Sequence, residues 1–258
     1  GIVYGIYFDN SYRSFWDLGK ENSEYFYFGS DGGNLDYYFF SGNQMSDIIR
    51  QYTDLTGRVP LPQMWTLGYQ QSRFSYETEE EVRDIAAKMR EHQIPCDVIH
   101  LDIDYMEQFK VFTWDDQKFK DPRTCLDDLA RQGFKIVTII DPGVKVEEGY
   151  TVYDEGIENG YFAKDKDGQV YINQVWPGDA VYPDFGRKEV RNWWSEKIRF
   201  LLARGGRGVW NDMNEPAGFL GEIPDDIVFH DEEERTTHAK MHNVFGHFMS
   251  QATYEGLK

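Results

Sequence analysis

Along the first 43 residues, apolar or aromatic positions alternate with polar ones. The runs are Ile2, Tyr4, Ile6 and Phe8, then Tyr25 and Tyr27, then Tyr37 and Phe39. A period of two is that of half-buried strands, and Asp31-Gly32-Gly33-Asn34 punctuates two of the runs as a turn. Residues 1–43 therefore read as antiparallel strands, the C-terminal part of an N-terminal β-sandwich. Over 43–56 the spacing becomes helical, with Ile48, Ile49, Tyr52 and Leu55 on one side. Pro60 and Pro62 then close a helical linker over 44–62.

From 63 to 258 the rhythm changes again. Apolar runs at 64–70, 98–101, 136–140 and 208–210 alternate with helical stretches at 77–92, 124–132, 187–203 and 235–256, with a long loop after residue 140. Strands alternating with helices predict βαβ units and a parallel sheet. Each predicted strand ends in a polar cluster: Gln70-Gln71, Asp102, Asp141 and Asp212. Chemistry at the carboxyl end of every strand is the habit of (β/α)8 barrels. A doubly wound sheet would carry a glycine-rich turn after its first strand. Here Gly205-Gly206-Arg207-Gly208 precedes a strand instead, and reads as a plain turn. The fold class is α/β: about the first four β/α units of a (β/α)8 TIM-type barrel, preceded by antiparallel strands of an N-terminal β-sandwich.

Charge narrows the partners. The net charge of −18 opposes binding to phosphate-rich surfaces, so neither nucleic acid nor an anionic membrane is expected. No run of about 18 apolar residues is present to span a bilayer. The two cysteines, Cys96 and Cys125, lie in no ligand-like cluster. They read as buried free thiols of a reducing, cytoplasmic compartment. His238 and His242 stand four apart on a predicted helix, but Ala239 follows the first where a zinc-protease motif has Glu, and no third ligand is evident. No metal or cofactor is expected. The acidic run Asp231-Glu232-Glu233-Glu234 reads as a solvated cap favourable to a helix N-terminus.

The densest chemistry is Trp210-Asn211-Asp212-Met213-Asn214-Glu215-Pro216. Glycoside hydrolysis needs one carboxylate at the anomeric carbon and a second acid at the leaving oxygen, and an indole offers a wall for the sugar's C–H face. By spacing alone, two acids near a strand end serve equally as loop caps.

The six residues Trp210 to Glu215 match the W-x-D-M-N-E pattern of glycoside hydrolase family 31, which this chain resembles along nearly its whole length. Leu67 to Phe74, Asp102-Ile103-Asp104-Tyr105-Met106, Asp141-Pro142-Gly143, Trp176-Pro177-Gly178 and Pro183-Asp184-Phe185 carry the same resemblance. It implies a retaining, exo-acting α-glucosidase with Asp212 as nucleophile and Glu215 supporting it by hydrogen bonding. It implies that Asp102 binds hydroxyls of the terminal glucose, with Ile103 in the same pocket. Trp176 and Trp210 would form its wall, and Met213 and Asp141 would neighbour the sugar. Asp104 is either a further ligand or a buried structural carboxylate. Phe74 stands where several related enzymes have Trp or Tyr, so it is either a pocket aromatic that cannot donate a hydrogen bond or a core residue. The family's general acid/base lies on a later strand, so the resemblance places it beyond this chain, in the remaining C-terminal half of the enzyme or in a complementing chain. The isolated chain is then expected to be inactive. The substrate would be an α-glucoside oligosaccharide, and an oligomer is compatible with this reading. Neighbouring activities within the family are α-xylosidase, transglucosylase and lyase. A noncatalytic carbohydrate-binding fragment is the reading from another class.

Overall fold

The computed structural model describes residues 2–258, which form two compact units, one ending at Pro62 and one spanning Gln63–Lys258.

In the first unit, β1 (Val3–Phe8), β2 (Ser14–Asp17), β3 (Tyr27–Ser30) and β4 (Tyr37–Gly42) form two antiparallel ribbons, β1 with β4 and β2 with β3. Three of the strands fall where alternation predicts them; β2 is additional. The ribbons are held by aromatic pairs, Tyr4 on Phe39 at 5.6 Å and Trp16 on Phe28 at 4.5 Å, the cross-strand contacts that stabilise a sheet. Helix α1 (Met45–Thr56) follows. Asp47 anchors its start by accepting from the backbone N–H of Asn43 at 3.0 Å and of Gln44 at 3.3 Å. Of the side expected to be apolar, only Ile48 is buried. It sits so close over β1 that a Cβ on Gly5 would lie 2.6 Å from its Cγ2.

The second unit is built on a four-stranded parallel sheet. Its strands are β5 (Gln70–Gln71), β6 (Val98–Leu101), β7 (Lys135–Ile140) and, after an excursion, β11 (Gly208–Asn211), in the order β11-β7-β6-β5. Sequential neighbours with intervening helices are barrel topology. The helices are α2 (Glu79–Glu91) after β5, α3 (Pro122–Arg131) after β6, α5 (Lys188–Leu202) after β7 and α6 (His238–Leu257) after β11. Thr78 caps α2 by accepting from Glu81 N–H, and Asp121 caps α3 by accepting from Thr124 N–H. Ile99, Leu101 and Ile136 join Val82, Ala86 and Leu129 of the helices in the core. Helices α5 and α6 pack closely enough that a Cβ on Gly256 would meet Ser195 O at 2.6 Å.

Three expectations need correction. The apolar run 64–70 does not form one strand. Met64–Leu67 is a 3-10 turn and only Gln70–Gln71 pairs, because Met64, Leu67 and Tyr69 find no core and stay exposed. The long loop after β7 is structured. It holds β8 (Val144–Lys145), α4 (Thr151–Glu158), β9 (Ile172–Val175) and β10 (Gly178–Val181), the strands forming one small antiparallel sheet. Strands of two to four residues are too short to show a period. Finally, the acidic run does not cap a helix. It forms the tip of a hairpin between β12 (Val228–Asp231) and β13 (Glu234–Thr237). Its charges are used: Glu232 accepts from Arg191 at 2.6 Å, and Asp231 pairs with Lys240 at 2.7 Å. Helix α6 consequently starts at His238, later than 235, with no acid in its first turn.

Candidate active site

Successive residues of a strand face opposite sides, and residues in parallel register face the same side. The register puts His100 beside Val137 and Ile139 beside Trp210. Val98, His100, Val137, Ile139 and Trp210 therefore share the sheet face opposite the helices. The alternation delivers Asp102, Asp141 and Asp212, one just beyond each strand, to the carboxyl edge of that face. The Asp212 N–H donates to Ile140 C=O at 3.2 Å, tying two of these ends together.

Burial and like charge set the electrostatics. Asp141 is 6% exposed, and its Oδ1 has no hydrogen-bond partner. Desolvation first, then the charges of Asp212, Asp102 and Glu215, raises its pKa to about 7. Asp102 is 8% exposed and accepts from Ile103 N–H at 2.8 Å. Desolvation raises its pKa too; the N–H bond opposes that rise, and the charges of Asp212 and Asp104 add to it. Adjacent carboxylates that cannot all ionise are an acid–base arrangement that enzymes exploit. Met213, directly after Asp212, has φ of 54°, a conformation uncommon for residues other than glycine, and it turns the chain sharply off β11.

A cluster of rings stands on the loops that follow the strands. Phe74 and Trp176 lie 6.0 Å apart, and Phe219 stands edge-on to Trp176 at 5.0 Å. Phe74 is 67% exposed, so it is not a core residue. Trp210 is partly buried, and its ring meets His100 edge-on at 6.1 Å.

Other expected residues are placed differently from one another. Ile103 is buried in the hydrophobic core, and what it gives the site is the backbone N–H that fixes Asp102. Asp104 is held by Lys118 at 3.2 Å, a structural pairing. Glu215 stands exposed, within electrostatic reach of Asp141. His238 is buried, with its Nε2 3.0 Å from His242 Nδ1. Burial first, then His242, lowers its pKa to about 4. Among the described residues, no group of three His, Cys, Asp or Glu is placed to hold a metal ion. Cys96 and Cys125 are buried and unbridged.

Two further residues, His100 on this face and Phe219 beside Trp176, escaped the sequence reading. His100 had a signal: it is the one polar residue within Val98-Ile99-His100-Leu101, spaced by two from Asp102. Phe219 had none, since only the fold brings it to Trp176.

Comparison with known proteins gives the family and the fold. Residues 59–258 match the glycosyl hydrolases family 31 TIM-barrel domain. The chain is 48% identical over 260 residues to alpha-glucosidase 2 of Bacillus thermoamyloliquefaciens, covering all of this chain and 33% of that protein. Among solved structures, the Glc1Man2-bound glucosidase II alpha subunit superimposes with a TM-score of 0.90 at 34% identity, over 98% of this chain and 29% of that one. The glucose complex of the GH31 dextranase of Flavobacterium johnsoniae gives 0.91 at 33% identity, over 98% and 31%. The chain thus spans about a third of the length of the relatives it matches.

Proposed function

This chain belongs to glycosyl hydrolase family 31, and from that premise we propose that it is the part of a retaining, exo-acting α-glucosidase that carries the nucleophile. The observation that bears most weight is Asp212, which follows a parallel strand within the Trp210–Glu215 pattern and shares its face with Asp102 and Asp141. In this reading the Asp212 carboxylate attacks the anomeric carbon of a terminal α-glucosyl unit. The bond to the leaving oxygen breaks as an acid protonates that oxygen, leaving a glucosyl ester on Asp212. The deprotonated acid then takes a proton from water, whose oxygen attacks the same carbon and frees both glucose and Asp212.

Asp102 is suited to accept hydrogen bonds from sugar hydroxyls, while Trp176, Trp210 and Phe74 offer the apolar face that pyranose C–H groups need. Met213 and Asp141 border the bound sugar, and Glu215 supports the nucleophile through the loop they share. The acid/base is supplied by polypeptide outside this chain. Among the carboxylates here, Asp141 has its pKa raised to about 7 but is buried, and its charged neighbours are the other carboxylates of the same cluster. Two buried, unbridged thiols support a reducing, cytoplasmic setting.

The test uses the longest natural polypeptide that carries this chain. A nitrophenyl α-glucoside and maltose are hydrolysed, and NMR records the first anomer released. The α-anomer is expected, with turnover abolished in Asp212→Ala. First release of the β-anomer, or persistent turnover in that variant, rejects the reading.

A further inference from the structure

We propose that His100 is a positioning residue that braces Trp210, the indole beside the nucleophile, from inside the barrel sheet; this rests on the reading of Asp212 given above. The neighbours of His100 on β6, Ile99 and Leu101, are fully buried against the helices. His100 itself points to the opposite face, two residues before Asp102. There it makes two contacts. Its Nε2 lies 2.8 Å from Oε1 of Gln70 on β5, and its ring meets Trp210 on β11 at 6.1 Å with an interplanar angle of 80°.

The first contact fixes the tautomer. The side-chain NH2 of Gln70 donates to Thr66 C=O at 2.8 Å, which leaves the amide oxygen free only to accept. Nε2 of His100 must therefore carry the hydrogen. Burial lowers the imidazole pKa, which keeps the ring neutral. The second contact uses the ring as a rigid plate. Between β6 and β11 runs β7, and its residue in register with His100 is Val137, whose own neighbour on β11 is Gly208. These small side chains leave the ring room to reach across β7. Thr66, Gln70, His100 and Trp210 thus form one line that spans all four strands of the sheet. It ends two residues before Asp212 on the same face.

A half-buried imidazole is costly in a sheet face that an aliphatic residue would fill more cheaply. Its return here is orientation: a planar ring held at one edge by a directional hydrogen bond fixes the angle of the indole it touches. Trp210 contacts the sugar in ground state and transition state alike, so the brace should be felt in KM. A loss of folded enzyme would lower apparent kcat and leave KM alone.

The experiment measures kcat and KM for a nitrophenyl α-glucoside in the full natural polypeptide with His100→Leu, His100→Phe, Gln70→Leu and the His100→Leu/Gln70→Leu pair. His100→Leu should raise KM about tenfold, the scale of a well-oriented aromatic contact, with kcat within about twofold of wild type. His100→Phe keeps a ring against Trp210 and should recover most of that loss. It also carries the test if the Leu variant does not fold by circular dichroism. Gln70→Leu should raise KM by a smaller factor and add nothing to His100→Leu, as members of one line must. Unchanged KM in His100→Leu, or fully additive effects of the two Leu substitutions, overturns the proposal while Asp212-dependent turnover leaves the α-glucosidase reading standing. Turnover that survives Asp212→Ala removes both.

Discussion

The two faces of the β5-β6-β7-β11 sheet come from the same few residues of each strand, yet burial does opposite things on them. On the helix side, Ile99, Leu101 and Ile136 are removed from water and stabilise the fold through the hydrophobic effect. On the other side, burial of Asp102 and Asp141 opposes their ionisation, and beside the buried apolar Val98, Val137 and Ile139 stand the polar or amphipathic Gln70, His100 and Trp210. One face gains stability by excluding water. The other uses the same exclusion to set protonation and orientation. Substitutions on the two faces should therefore separate stability from chemistry.

The largest effect is expected on the helix side. Leu101→Ala removes a fully buried side chain and should destabilise the protein by about 2–5 kcal/mol, read from urea or thermal unfolding. KM of the remaining folded enzyme should be unaltered. A loss below about 1 kcal/mol would show that this face collapses around the cavity and is not the rigid half of the contrast.

Asp102→Ala acts on the other face. It should lower kcat/KM on α-glucosides by the value of a charge-assisted hydrogen bond, about 1.5–3 kcal/mol. Unfolding stability should hold or rise, because one member of a mutually repelling carboxylate group is gone. Wild-type kcat/KM on maltose would take Asp102 out of the sugar pocket.

Asp141→Asn sharpens the comparison through pH. The folded-state pKa of Asp141 is raised from an ordinary 3.8 to about 7, so between these values the folded state holds a proton that the unfolded chain has released. Wild-type stability should therefore fall as pH rises from about 4 to about 7 and level off above. The Asn variant escapes this slope. It should match wild type at low pH and exceed it at pH 8 by on the order of 4 kcal/mol. Parallel melting temperatures of the two proteins across this range would contradict the buried, protonated Asp141.

The smallest effect concerns the exposed rim. Phe74→Tyr or Phe74→Trp alters an accessible ring tilted against Trp176 and should shift the maltose-to-isomaltose ratio by less than about 1.5 kcal/mol. Stability should stay the same. An unchanged ratio in both variants would remove Phe74 from substrate contact.

Most of the framework was legible in the residues themselves. The four strand-and-helix repeats came from apolar runs alternating with helical stretches, and α1 and three strands of the first unit from periods of 3.6 and two, which are properties of the local backbone. The polar endings of the strands, with Asp102, Asp141 and Asp212 among them, stood in the sequence directly after those apolar runs. The resemblance carried by Trp210 to Glu215 named the family that comparison then confirmed. What local pattern could not hold was decided by partners distant along the chain. Asp231 to Glu234 folds as a hairpin tip because Arg191 and Lys240 receive its charges. The run from Met64 shrinks to a two-residue strand because its apolar side chains find nothing to cover them. The contacts of Phe219 with Trp176 and of His100 with Trp210 span 43 and 110 positions of sequence, and only a loop hydrogen-bonded to β9 in the first case and parallel register in the second bring those rings together. The proton on Asp141 is decided in the same way. A pKa sums desolvation and charge over every atom nearby, and those atoms come from three strands that only the tertiary fold sets side by side.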